Sequence, residues 1–425
     1  MSMYEPLKGF RDFYPDEMEA RREVIDTIES VVRRYGFREI GTPALEPAAL
    51  FIDKSGPEIV EELYSFTDKG GRDVVLTPEL TPTVARMVAA NHQAMSKPIK
   101  WYSTRAFWRY EEPQQARFRE FYQTNIDIFG SSEPEATAEI LACCGDLLTA
   151  LGLADDDFEF RVSHRDILSE LVEWIDADAD TGEAIRAIDR TDRATHAETV
   201  TELVDAGLDE ADADRIVTLL EDASSDLDIL IDETDHPSLH DAIEQLIAVL
   251  DATRDYGVRE HCSISLTTAR GLDYYTGVVF ECFDTQGEVG RSIFGGGRYD
   301  DLIEGLGGPS MPAVGVAPGL APITQLLKRA DVWPVEAQET DYYILVVGDT
   351  RAVAAQIARQ LRGEGYVVEN DVMDRSFGSQ LEYADSINAK TTIIVGERDL
   401  AEGMVTVKDM ATGEQTQEPV DAFLE

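Results

Sequence analysis

FWRYEEPQQARFREFYQTNIDIFG, residues 107–130, contains two strand-like runs separated by a polar stretch. The first run reaches back to residue 99, so IKWYSTRAFWRY and FREFYQTNIDIF are expected to pair as a long antiparallel hairpin across EEPQQAR. Alternate side chains of a strand share one face. From Arg119 to Phe129 this puts Tyr122, Thr124, Ile126 and Ile128 on a mainly apolar side suited to covering a core, and Arg119, Phe121, Gln123, Asn125 and Asp127 on the other. A row of an arginine, two amides and a carboxylate is costly to bury unless its members bind one another or a polar ligand. On patterning alone, a solvated face of an antiparallel sheet fits as well. The surrounding charge favours a ligand. Residues 101–129 hold Arg105, Arg109, Arg117 and Arg119 against Glu111, Glu112, Glu120 and Asp127, a local balance of zero in a chain of net charge −46. Planar guanidinium groups kept in so acidic a protein suit phosphate.

Upstream, Val24, Ile25, Ile28, Val31 and Val32 recur at helical spacing within residues 17–36 and stop at Gly36; a short strand, Phe37 to Ile40, and Pro43 follow. In LTPELTPTVARMVAAN, Val74 to Thr77 lead in as a strand, Glu79 falls on the turn, and Thr81 and Pro82 suit the N-cap and first position of a helix. Downstream, Ala138, Leu141, Leu148 and Leu151 mark a helix ending at Gly152. Residues 154–256 differ in kind, with 31 acidic residues, 7 arginines and no lysine, and helical patterning over Asp214 to Leu220 and Leu239 to Leu250. They are expected to form an inserted acidic helical module between core parts 1–153 and 257–329. Strand texture resumes at VVFECFD and passes the glycines Gly295 to Gly297. ADVWPVEAQETD, 330–341, reads as a linker. Beyond it YYILVV, a helix from Arg351 to Leu361, YVVEN, a helix over Gln380 to Asn388, and TTIIVG predict a small α/β domain over 342–425.

Composition bounds the rest. With 43% apolar residues over 425 positions the chain can build globular cores. It has no run of eighteen apolar residues, and its first residues carry charges and prolines, so a cytoplasmic protein without a membrane partner is expected. Cys143, Cys144, Cys262 and Cys282 match no metal or redox spacing and read as buried reduced thiols. Acidic residues number 83 against 37 basic ones, of which 8 are lysine, and they are spread through core-patterned sequence. Such a surface suits a cytoplasm of near-molar salt, where the Debye length is roughly 3 Å. High charge of this sign argues against a nucleic-acid partner, and strong salt weakens that objection.

The hairpin resembles the second signature motif of class II aminoacyl-tRNA synthetases in the form seen in histidyl-tRNA synthetases, here of a salt-adapted archaeal type. ARGLDYYTGVVFE, residues 269–281, is similar to a block peculiar to the histidine enzymes and their relatives. LTPELTPTVAR, GGGRYDDL and LKGFRDFYP fit in the expected order, so the resemblance covers nearly the whole chain. It implies an α+β fold with an antiparallel sheet flanked by helices, a helical insertion, and a C-terminal α/β domain that reads the anticodon. It also implies a homodimer, with the helix and strand around Pro43 at its interface. The activity implied is activation of histidine with ATP, Mg2+ riding on the phosphates, and transfer to tRNA(His); no dedicated metal cage is visible in the sequence.

Carried over position by position, the resemblance assigns Glu79, Thr81 and Gln123 to the α-ammonium of histidine, and Asp127, Tyr274 and Tyr275 to its side chain. Arg109 matches the arginine on the α-phosphate, Glu111 and Arg117 match ATP contacts, and Arg270 matches an arginine expected across that phosphate from Arg109. One motif departs from the pattern. Where a Glu-Arg pair normally opens the helix after the third motif, AVGVAPGLAPITQLL has Ala321 and Pro322. The arginine expected on adenine and the γ-phosphate is absent, so either Arg298 or another cation replaces it or ATP binds differently. The alternative reading is the non-catalytic regulatory subunit of ATP phosphoribosyltransferase on the same fold; those relatives generally lack the anticodon domain that residues 342–425 match here.

The charge distribution predicts salt-dependent stability. Dialysis from molar KCl to low salt is expected to unfold the protein, seen as loss of the far-ultraviolet helical signal, and a fold that persists at low ionic strength contradicts the salt-adapted reading.

Overall fold

The computed structural model describes residues 4–52, 60–189, 195–266, 274–289, 291–334 and 340–424. Its contacts cluster into two compact units, Met1–Pro334 and Val335–Glu425. The strands of the first are β1 (Arg38–Glu39), β2 (Leu45–Pro47), β3 (Ser65–Thr67), β4 (Asp73–Leu76), β5 (Ile99–Trp108), β6 (Glu120–Phe129), β7 (Phe158–His164), β8 (Cys262–Ile264), β9 (Val278–Asp284), β10 (Phe294–Arg298) and β11 (Ala313–Val316). Among the described residues eight of them form one sheet in the order β1-β5-β6-β11-β10-β9-β7-β8. Its interior pairs are antiparallel, and a parallel pair closes each edge, β1 on β5 and β8 on β7. A separate small sheet runs β2-β4-β3.

The β5–β6 hairpin forms as its patterning predicts, in unbroken register from Ile99 opposite Phe129 to Trp108 opposite Glu120. Ile126 and Ile128 join the main core with Val24, Ile25, Ile28, Val31 and Val32 of helix Pro15–Arg34, which packs on helix Pro134–Ala150. Helix Thr81–Asn91 starts one residue earlier than expected. Leu80, fully buried, takes the N-cap position and Thr81 becomes the first helical residue, because the apolar Leu80 side chain is drawn into the core with Val84 and Val88.

Among the described residues of the acidic segment the elements from Arg165 onward are helices, whereas Phe158–His164 runs inside the main sheet as β7, between β9 and β8. Its alternation Phe158, Phe160, Val162 is that of a half-buried strand, with Asp155, Asp156 and Asp157 crowding its start. At the far end of the segment, helix Pro237–Asp255 packs on Pro134–Ala150 as a core element. The helices between them, among them Arg165–Ile175, His196–Asp205 and Glu210–Ala223, send Leu171, Leu203 and Ile216 into the same apolar cluster and turn their carboxylates outward. All four cysteines are buried free thiols, and burial raises each thiol's pKa.

In the second unit β12 (Tyr342–Val347), β13 (Val368–Asn370), β14 (Thr391–Gly396), β15 (Met404–Asp409) and β16 (Gln415–Pro419) order as β13-β12-β14-β15-β16. Helices Arg351–Gly363 and Phe377–Ser386 accompany the parallel strands. The closing antiparallel hairpin β15–β16 was not expected; its signal is the alternation in MVTVKD before the turn at Gly413, which has φ +76°. No described helix is long and apolar enough to cross a membrane.

Phe160 is fully buried in β7, with its ring 5.7 Å from that of Phe158 and 6.3 Å from that of Phe294. Phe160→Ala is expected to destabilise the first unit by about 3–5 kcal/mol in molar salt, measured by denaturant titration; a loss under about 1 kcal/mol contradicts a central place for β7.

Candidate active site

The polar row of β6 faces a cavity of about 600 Å3. Gln123, Asn125 and Asp127 line it from β6, Gly315 and Val316 from β11, Gly295 and Gly296 from β10, and Phe280 and Glu281 from β9. Glu79 and Thr81 enter at the start of helix Thr81–Asn91, and Arg109, Glu111 and Arg117 come from the hairpin end. Tyr274, Tyr275 and Tyr299 complete the deep part.

The deep part is strongly paired. Asp127, 2% exposed, accepts a 2.5 Å hydrogen bond from the Tyr299 hydroxyl. Burial pushes its carboxyl up to about 7, and the hydrogen bond from Tyr299 pulls the other way. Room for that carboxylate exists because residue 315 is glycine: a Cβ there would lie 2.1 Å from Asp127 Oδ1. One strand over, a Cβ on Gly296 would meet the Gly315 carbonyl oxygen at 2.3 Å, so the glycine-rich strands pack backbone to backbone beneath the pocket. Tyr274 donates to Glu79 Oε2 at 2.8 Å, and burial, followed by the Glu79 charge, raises its hydroxyl pKa well above the ordinary value. The Tyr274 and Tyr275 rings lie 5.1 Å apart and both approach Tyr299, at 6.0 and 6.5 Å. Gln123 Nε2 donates to the Ala317 carbonyl at 2.9 Å. Asn125 Oδ1 is buried and has no hydrogen-bond partner among the described residues.

The hairpin end carries the charge. Arg109 Nε donates to the Pro78 carbonyl at 3.1 Å, and its Nη1 lies 3.7 Å from Glu111 Oε1. Arg117 pairs with Glu111 Oε2. The buried Glu111 thus holds two guanidiniums at one end of the cavity. Burial, then the charge of Glu111, pushes the carboxyl of nearby Glu62 up to about 7.

Of the four hairpin arginines, Arg109 and Arg117 line the cavity and the other two turn elsewhere. Arg105 donates to the Thr42 and Pro43 carbonyls at 2.9 and 2.8 Å, tying down the loop before β2. Arg119, expected on the polar face, donates to the Glu111 carbonyl and lies 3.9 Å over the Tyr110 ring. The structure brings together Glu79, Thr81, Gln123, Asp127, Tyr274, Tyr275, Arg109, Glu111 and Arg117. Arg270 lies in 267–273, outside the described residues. Arg298, offered as a replacement for the absent third-motif arginine, is not among the residues that line the cavity. Its Nε and Nη2 face Asp300 at 3.2 and 3.1 Å and Nη2 donates to the Ser131 carbonyl, which leaves it locked outside the cavity lining. Ala321 and Pro322, in the first turn of helix Leu320–Arg329, do line the cavity.

Sequence reasoning gave no role to Tyr299, Arg291, Glu281 or Arg186, all of which line the cavity. Tyr299 stood within the quoted GGGRYDDL, and its signal was a tyrosine one residue past a glycine-rich strand that must pack against β11. Arg186 comes from the acidic segment, on helix Thr181–Asp189.

The family model of histidyl-tRNA synthetase matches residues 9–323, and that of an anticodon binding domain matches residues 341–425. The chain is 63% identical, over 421 residues, to a histidine–tRNA ligase of Haloarcula marismortui, covering 99% of this chain and 97% of that one. It is similar to the same degree and over the same coverage to a histidine–tRNA ligase of Natronomonas pharaonis. Its fold is that of the crystal structure of histidyl-tRNA synthetase from Nostoc sp. PCC 7120, with a TM-score of 0.82 at 24% identity over 99% of this chain and 98% of that one. The polar row of β6, the arginines at the hairpin end and the full-length likeness agree: this chain belongs to the histidyl-tRNA synthetase family.

Proposed function

We propose that the cavity above β6, β10 and β11 is where this histidine–tRNA ligase binds histidine and its substrate ATP, with histidine deep and the phosphates at the hairpin end. The observation that carries the reading is the row Gln123, Asn125 and Asp127, polar groups of which Asn125 and Asp127 are buried, facing a cavity with two arginines at one end. Glu79, flanked by Thr81 and Gln123, takes the α-ammonium as an acceptor for a cation. Asp127 accepts from one imidazole N–H while the hydroxyls of Tyr274, Tyr275 and Tyr299 surround the ring. A pocket that hydrogen-bonds its substrate leaves its own groups unpaired when an apolar analogue enters, which discriminates by roughly 10⁴-fold or more without editing.

In activation the histidine carboxylate, already ionised, attacks the α-phosphorus; the bond to the bridging oxygen breaks and pyrophosphate leaves with its electron pair. Charge builds on the equatorial oxygens. Arg109, held by Pro78 and Glu111, meets that charge from one side, and Arg270 is assigned the other. Fixed guanidiniums stabilise the transition state more than the ground state because they need no reorganisation. In transfer, the terminal hydroxyl of tRNA(His) attacks the histidyl carbonyl and AMP leaves. No three His, Cys, Asp or Glu converge as metal ligands among the described residues, so Mg2+ is assigned to the ATP phosphates as part of the substrate and no step is routed through it. The second unit is assigned the anticodon. We also assign a homodimer; the exposed Leu45, Ile52 and Phe66 around the small sheet support an apolar contact there.

Histidine-dependent ATP–pyrophosphate exchange in molar salt tests the site. Asp127→Asn is expected to raise KM for histidine roughly tenfold or more, as loss of a hydrogen bond to a charged group does. The ionised Asp127 is the accepting form, so with its carboxyl near 7 the affinity for histidine is present above that pH and falls as pH drops through it. The fall is expected to be shallower in Asp127→Asn, where only the free imidazole, of pKa about 6.5, still titrates. Absent exchange in the wild type refutes the function, and identical pH profiles refute the role of Asp127.

Removing residues 341–425 is expected to abolish charging of tRNA(His) while sparing exchange, since the first unit holds every residue named for activation. Undiminished charging by the truncated protein contradicts the anticodon assignment.

A further inference from the structure

We infer that Arg298 and Asp300, an ion pair outside the cavity, are positioning residues for the imidazole end of the histidine pocket; the inference rests on the histidine site proposed above. Strand alternation separates their work from that of Tyr299, which stands between them. The Tyr299 hydroxyl donates to Asp127 inside the cavity, whereas Arg298 and Asp300 are turned away from the lining. Behind the pocket the Arg298 guanidinium, its side chain 7% exposed, forks onto the carboxylate, with Nε 3.2 Å from Oδ2 and Nη2 3.1 Å from Oδ1. Three other stretches of chain meet at this pair. Arg298 Nη2 also donates to the Ser131 carbonyl at 2.8 Å, which fixes the chain just past β6, the strand of Asp127. Asp300 Oδ1 accepts from the Ala313 amide at 2.9 Å, at the start of β11. On the third side the Thr276 amide donates to the Arg298 carbonyl at 2.7 Å, and the Asp300 amide donates to the Thr276 hydroxyl oxygen at 2.9 Å. Thr276 follows directly on Tyr274 and Tyr275.

Packing ties the same pair to the two tyrosines. At Gly277, with φ +73°, a Cβ would lie 3.5 Å from His164 Nε2 and 3.9 Å from Arg298 Cδ, so the turn beyond Tyr275 rests beside the arginine stem. A Cβ on Gly297 would lie 3.1 Å from Tyr275 Cδ1, so the residue before Arg298 also borders that ring. Stability alone gives little reason for a buried ion pair here, because well-packed apolar residues of the same volume serve as well or better. What the pair adds is direction: a planar fork on a carboxylate fixes angle as well as distance, which an ammonium does not. A misplacement of about 1 Å costs as much as roughly a hundredfold, so groups that never touch the substrate can govern its binding through Tyr274, Tyr275 and Tyr299. The phosphate end is held by separate contacts, Arg109 on the Pro78 carbonyl and both Arg109 and Arg117 on Glu111. The pair therefore acts on histidine and leaves ATP alone.

Exchange kinetics of the full-length protein in molar KCl, with histidine and ATP varied separately, test the assignment. Arg298→Lys and Asp300→Asn are each expected to raise KM for histidine roughly ten- to hundredfold while KM for ATP stays within about twofold, which also reports a folded pocket. Should both lose the fold, Thr276→Val decides, since it removes the hydroxyl that the Asp300 amide holds and leaves the ion pair in place. It is expected to raise KM for histidine alone, by roughly three- to tenfold, and Thr276→Ser is expected to restore the wild-type value. An unchanged KM for histidine in these variants, or KM values for histidine and ATP that rise together, overturns the inference. The histidine site still stands in that case if Asp127→Asn weakens histidine. Unimpaired histidine use by Asp127→Asn, or absence of exchange in the wild type, overturns both.

Discussion

A carboxylate buried as deeply as Asp127 must find a donor, and the nearest elements of the sheet are arranged around that need. Its partner, Tyr299, leaves β10 at the residue after Arg298, and β10 reaches the right depth only because Gly296 and Gly315 let its backbone close on β11. β11 in turn pairs with Asp127 through Gly315, where any side chain would strike the carboxylate. The three strands are thus fixed by one hydrogen bond and two missing Cβ atoms. The pocket exists above them because no side chain fills the floor.

That arrangement leaves one polar demand unmet within the protein. Tyr299 satisfies part of Asp127, Tyr274 satisfies part of Glu79, and Gln123 is spent on the Ala317 carbonyl, while Asn125 Oδ1 faces the cavity unpartnered among the described residues. The lifted pKa of Asp127 says the same in another form. Burial resists its charge, and an imidazole N–H placed against it would restore the ionised state. Ligand binding and the protonation of this carboxyl are then two views of one interaction.

Local periodicity made most of the fold legible, because each face had one fate. Ile126 and Ile128 go to the core and Asn125 and Asp127 to the pocket, as strand alternation requires. Periodicity failed where composition spoke louder. The acid-rich start of residues 154–256 obscured β7, whose Phe158, Phe160 and Val162 obey the same alternation but sit directly after Asp155–Asp157. Among the described residues, those that a motif named line one cavity, and sequence was silent where tertiary contact decided a side chain's direction. Arg105 and Arg119 looked equivalent to Arg109 in sequence. A strand arginine beside an open loop end can cap carbonyls instead of binding anions, and both do so.

Phosphate recognition constrains where positive charge stands and says little about which segment delivers it. In a chain of net charge −46 basic side chains are scarce. The same scarcity explains why the cations that do line the cavity come from separate pieces of sequence, the hairpin, the β10 entry and the acidic segment, and converge only in the folded sheet.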